Sequence, residues 1–175
     1  MVTVWVALAW VALQRLLELR LAQANLRWAL ARGGREYGKE HYPLFFLLHI
    51  GWMLGWLAEG LARNQLSPFW GFWLALFLLA QGLRYWAIQS LGRYWNTRII
   101  IVPGAKKVTT GPYRYIAHPN YLAVALELFS LPLVFNAWIT ALVASFLNAL
   151  LLLFIRIPAE EKALGELAAN PEQNA

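Results

Sequence analysis

Residues 137–157 read AWITALVASFLNALLLLFIRI, an unbroken apolar run whose one charged residue, Arg156, stands next to its end. A helix rises 1.5 Å per residue, so about 20 such residues cross the roughly 30 Å of hydrocarbon in a bilayer. Four further apolar segments precede this one, at 2–24, 42–62, 68–91 and 119–135. The chain of 175 residues is 60% hydrophobic, carries ten tryptophans and has only 14% charged residues, too few to cover a soluble domain. The reading is therefore an all-α integral membrane protein of about five transmembrane helices, forming one domain over 1–175. Helices fill 1–91, and 92–175 hold a polar loop, a helical hairpin and a short interfacial helix. The first segment runs into Gln14, Arg15 and Glu18, so it reads as a span and not as a cleavable signal peptide.

Working outward, the connections differ in charge. Residues 25–41 hold Arg27, Arg32, Arg35 and Lys39, and residues 92–118 hold Arg93, Arg98, Lys106, Lys107 and Arg114. The second connection offers only Arg63, and the fourth, Phe135-Asn136, offers no charge. The positive-inside rule then puts the first and third connections and the C-terminus in the cytoplasm, with the N-terminus outside. The net charge of +6 suits anionic lipid headgroups, and nucleic acid is not an expected partner. Segments four and five make a hairpin with almost no loop. Segment four is short and contains Pro132, so it is expected to be shallow, kinked or shielded by its neighbours. Pro158 opens a terminal helix in which Ala159, Ala163, Leu164 and Leu167 share a face, expected to lie near the cytoplasmic surface. Gly51 and Gly55 form a small-xxx-small pair, read as packing within one chain; oligomeric state is not legible.

Chemistry concentrates just before and just after the hairpin. Residues 111–121 read GPYRYIAHPNY, with three tyrosines, one histidine and one arginine able to stack on and hydrogen-bond a nucleoside. His118-Pro119 also has a plain structural use, because proline is favoured at the first helical position. Arg156, Glu160 and Glu161 close the last span. They either mark the membrane boundary, with an Arg156–Glu160 pair at i,i+4, or place a guanidinium against an anionic acceptor and carboxylates against a cofactor. Gln14, Arg15 and Glu18 lie deep in the first span, where ionisable groups face the bundle interior. Arg15 and Glu18 can neutralise each other or line an acceptor pocket. His41, His49 and His118 are scattered without metal-ligand spacing, and there is no cysteine, no P-loop and no dinucleotide fingerprint.

Gly111-Pro112-Tyr113, His118-Pro119-Asn120-Tyr121, and Arg156 with Glu160-Glu161 after a helical hairpin together resemble the isoprenylcysteine carboxyl methyltransferase family. The likeness to its small bacterial branch also takes in Gln14-Arg15-Leu16, His41-Tyr42, and Arg84-Tyr85-Trp86 through Arg98. That branch looks like the O-methyltransferases of alkylpyrones. The resemblance implies an enzyme that uses S-adenosylmethionine on a lipophilic small-molecule or prenylated substrate. Lys107, Val108, Tyr113, His118, Pro119, Asn120, Tyr121, Glu160 and Glu161 would meet the cofactor. Arg156 would meet the methyl acceptor and stabilise its attacking form, with Arg15 and Glu18 lining the acceptor pocket. One departure is Ala117, where the family commonly has arginine before His-Pro; Arg114 or Lys107 is the candidate substitute. Alternatives left open are a phospholipid N-methyltransferase, an NADPH-dependent membrane lipid reductase, and a non-catalytic membrane scaffold.

Overall fold

The computed structural model describes residues 2–169, with side chains through residue 165. Five apolar helices run α1 (Val2–Leu30), α2 (Tyr42–Arg63), α3 (Trp70–Leu91), α4 (Pro119–Val134) and α5 (Trp138–Leu151). A π-helical turn, Leu152–Arg156, joins α5 to α6 (Ile157–Ala169). Four helical stretches are long and apolar enough to cross a membrane, the last of them running unbroken from α5 into α6 as Trp138–Gly165, while α4, at 16 residues, falls short of that length. The protein is an all-α integral membrane protein.

α1 buries one stripe, Val4, Val11, Gln14, Glu18, Ala22, Asn25 and Ala29, at helical spacing, and turns Trp5, Trp10, Leu13, Leu16 and Leu17 outward. The outward residues are apolar because their solvent is lipid. α4 is the shielded element, packed against α2, α3 and α5. Pro132 lies in its last turn and has no N–H to give the carbonyl of Leu128 four residues back. Trp52 on α2 supplies that donor instead, its Nε1 lying 3.0 Å from the Leu128 carbonyl. A neighbouring helix thus satisfies the backbone group that proline frees, as hydrocarbon surroundings require.

Two strands too short to read from the sequence, β1 (Arg35–Tyr37) and β2 (Ile99–Ile101), pair antiparallel with Glu36 opposite Ile100. This small sheet joins the first and third connections, and α6 packs on it. The α1–α2 and α3–α4 connections and α6 therefore share one end of the bundle, and the N-terminus lies at the other. The terminal helix departs from expectation at Pro158. A separate helix was expected to begin there, yet the chain stays helical from Trp138 to Ala169. The wider π turn takes in the residues before the proline, where an α-helix would have brought the ring against a carbonyl. The side chain of Leu167 lies outside the described set.

Candidate functional site

Gly111 opens the site. Its φ is +59°, and a Cβ there would meet Ser90 Oγ at 2.0 Å and Trp86 Nε1 at 3.1 Å. Only glycine lets the turn Gly111–Arg114 sit this close to α3, and the turn aims Tyr113 inward. Pro119 then occupies the first position of α4, buried, and fixes the direction of the residues on either side.

Between β2, the loop after it, the start of α4 and the π turn lies a cavity of about 570 Å³. Its lining brings together Lys107, Val108, Tyr113, His118, Asn120, Tyr121, Arg156, Glu160 and Glu161. Pro119 does not reach it. Trp95, Asn96 and Ile99, Ile100 and Ile101 of β2 form another part of its wall. That wall is held to α1 by two amides: Asn25 Nδ2 donates to the Trp95 carbonyl at 2.7 Å, and Asn96 Nδ2 to the Ala22 carbonyl at 3.0 Å.

Tyr121 is the pivot of the site. Its hydroxyl donates to Glu160 Oε2 and accepts from Arg156 Nε at 3.0 Å. Arg156 Nη2 donates to the Thr97 carbonyl at 3.0 Å, and its guanidinium lies 5.7 Å from the Phe45 ring centre. Two of its three nitrogens are thus committed, and Nη1 has no protein partner among the described residues. The His118 ring stacks on Tyr121 at 5.3 Å, with its nitrogens 3.9 Å from Glu160 and 3.7 Å from Glu161. Burial, and secondly the nearby Glu160 carboxylate, push the Tyr113 phenol well above its ordinary value. Tyr113 is therefore a neutral hydrogen-bonding ring and not a base. Two buried polar atoms of lining residues, Asn120 Oδ1 and Trp95 Nε1, have no hydrogen-bond partner among the described residues.

The Ala117 departure has a geometric counterpart. Ala117 lines the cavity, and Lys106 and Lys107 line it too, whereas Arg114, 5.7 Å from the Tyr115 ring centre, lies outside the lining. Lys107 is the better placed of the two candidate substitutes.

Arg15 and Glu18 lie elsewhere. They belong to a polar cluster midway along α1, α3 and α4 and do not line the cavity. Arg15 donates to Glu18 and to Glu127, each at 2.6 Å. Arg84 grips Glu127 through Nε at 2.5 Å and through Nη2, and reaches Glu18 at 3.2 Å. Gln81 donates to Glu127 at 2.7 Å, and Gln14 to Gln81 at 2.6 Å. Two arginines and two glutamates cancel in charge, which is how such groups are tolerated at this depth. Of the two roles open to Arg15 and Glu18 in the sequence, mutual neutralisation is the one these contacts show, while the meeting of Gln81, Arg84 and Glu127 with them is not legible there. Each of the three stands inside an apolar segment, and that was the available signal.

The isoprenylcysteine carboxyl methyltransferase (ICMT) family model matches residues 73–166, more than half of the chain. The chain belongs to this family. The match runs from α3 through the π turn to α6 and so contains the cavity-lining side chains from Leu91 to Leu164. The uncharacterized protein YpbQ of Bacillus subtilis (strain 168) is 42% identical over 165 residues, covering 93% of this chain and 96% of that protein. An uncharacterized protein of Haemophilus influenzae is 28% identical over 155 residues, covering 87% and 90%. No solved structure matches the chain significantly. Membership of the ICMT family makes this a membrane methyltransferase at the level the family defines.

Proposed function

We propose that the protein methylates an anionic oxygen, a carboxylate or acidic enol, on a lipophilic acceptor such as an isoprenylcysteine or alkylpyrone. S-adenosylmethionine is the proposed donor, and the reaction is placed at the cytoplasmic face of the bacterial membrane. One observation carries the reading: a single tyrosine hydroxyl ties the residue assigned to the acceptor, Arg156, to the residue assigned to the cofactor, Glu160. Both reactants would therefore meet across one side chain.

The lining fits the donor chemically. Glu160 and Glu161 offer carboxylates to hydroxyls or an amino group, Lys107 offers a cation to a carboxylate, and Tyr113, His118 and Tyr121 offer ring faces. Asn120 and Val108 complete the lining with an amide and an apolar side chain. S-adenosylmethionine supplies a sulfonium-bound methyl group already activated for transfer, so positioning is the main demand on the protein. Arg156 meets that demand. Its uncommitted Nη1 can hold an anionic oxygen, while Tyr121 and the Thr97 carbonyl fix the guanidinium plane. An acceptor that arrives ionised needs no general base, and Glu160 is occupied by Tyr121. The basic residues of the two site-end connections support the cytoplasmic assignment.

The test supplies tritiated S-adenosylmethionine with N-acetyl-S-farnesylcysteine, a 4-hydroxy-6-alkyl-2-pyrone or phosphatidylethanolamine. Label should enter one of the first two, and Arg156→Gln should lower that rate by roughly a hundredfold, as loss of an oriented charge does. Label in phosphatidylethanolamine alone would replace O-methylation with N-methylation.

A further inference from the structure

The last turns of α1 and the turn Gly92–Tyr94 after α3 bring two arginines to one indole. The Arg32 guanidinium lies 4.3 Å from the Trp28 ring centre, and that of Arg93 lies 6.0 Å from it. Tyr94 meets the same ring edge-on, with centres 5.3 Å apart. Arg32 folds back along α1, its Nη1 3.4 Å from the Trp28 carbonyl. Asn25 donates to the Gly92 and Trp95 carbonyls at 3.4 and 2.7 Å, which holds the turn bearing Arg93 against α1. Both arginines are exposed. Among the described residues the arginines in ion pairs are Arg15, Arg63, Arg84 and Arg98. Arg32 and Arg93 are not, so the described residues gather two cations on one ring without the anion that would offset their repulsion.

Depth identifies that anion. The outward face of α1 is apolar from Val2 to Leu21, and Arg20 is its first exposed charge. About 20 residues rise roughly 30 Å, one hydrocarbon thickness. On α3 the exposed Tyr85 and Trp86 form an interfacial pair at the level of Glu18, which the neighbouring Arg84 reaches at 3.2 Å. The two helices thus agree on where hydrocarbon ends. Trp28 stands about two turns beyond Leu21, and helical side chains lean toward the N-terminus, here back toward the membrane. The indole and its two guanidiniums therefore sit at the level of lipid phosphates.

We propose that Trp28, Arg32, Arg93 and Tyr94 form a headgroup site for an anionic phospholipid, with both guanidinium forks directed to its phosphate. The site does not depend on the methyltransferase reading, although Tyr94 also lines the cavity and so adjoins both. A zwitterionic lipid carries the same phosphate beside a choline cation, which two arginines repel. That difference is what can be measured.

The experiment titrates the full chain, delipidated in detergent, with phosphatidylglycerol or with phosphatidylcholine of the same acyl chains. Bound lipid is counted by native mass spectrometry. Phosphatidylglycerol should bind with a preference of roughly tenfold, and Arg32→Gln with Arg93→Gln should abolish that preference. Either substitution alone should give an intermediate loss, which decides the matter if the pair lowers the thermal midpoint. Arg35→Gln with Lys39→Gln removes the same charge from exposed positions at the same end of the bundle and should change binding by less than about twofold. Equal affinity for the two lipids, or equal losses in the two double variants, would overturn the proposal and leave only general charge attraction. Inorganic phosphate binding the wild-type protein as tightly as phosphatidylglycerol would overturn it in favour of a soluble anion.

Discussion

At the scale of single residues, Tyr121 does work that a motif alone does not disclose. Its ring was legible as one of several nucleoside-contacting groups. The bridge from Arg156 to Glu160 was not, because it joins positions 35 and 39 residues away along the chain. Tyr121→Phe keeps the ring and its stacking on His118 but releases both partners. Methyl transfer should fall by about ten- to a hundredfold, while S-adenosylhomocysteine affinity changes by only a few-fold, since removing one positioning contact costs roughly 1.5–3 kcal/mol. Single-turnover rates set beside calorimetric affinities would show this split. Equal losses in both would mean that Tyr121 simply binds the cofactor.

Among the elements, α4 shows how a proline inside a membrane helix is accommodated. Its shortness and Pro132 could be read from the sequence, and shielding by neighbours was the expectation. The partner of the freed Leu128 carbonyl could not be read, because Trp52 lies two helices earlier. Trp52→Phe keeps an aromatic ring but removes the donor and the rest of the indole from a buried position. It should destabilise the protein by about 1–3 kcal/mol, the cost of a buried carbonyl left unpaired. Thermal unfolding in detergent should register the loss, with cofactor affinity unaltered in the folded protein. A midpoint equal to wild type would show that water or another group reaches the carbonyl. The π turn was the least legible element. Pro158 promised a break, and only the three-dimensional path shows the helix widening to pass it.

For the whole molecule, the five apolar helices and the shared end of the first and third connections were legible from apolar runs and basic loops. The cross-helix cluster was not, since hydrophobic periodicity says which face is buried and not which charges meet there. Arg84 is 2% exposed and Glu127 1% exposed, so the cluster is a closed clamp on α1, α3 and α4. Glu127→Gln leaves the buried Arg84 and the half-buried Arg15 against one carboxylate and should cost about 3–5 kcal/mol, well beyond the effect of Trp52→Phe. A thermal midpoint within a degree or two of wild type would contradict the clamp.

The most direct test of the central claim, that the cavity beside α6 is a methyl-donor site, is calorimetric titration of S-adenosylhomocysteine into the purified protein. Wild type is compared with Glu160→Gln and Tyr113→Ala. The expected result is saturable binding that weakens by about tenfold or more in each variant, a loss of at least 1.4 kcal/mol. No binding to a folded wild-type sample in detergent and in lipid, or binding indifferent to both substitutions, would contradict it.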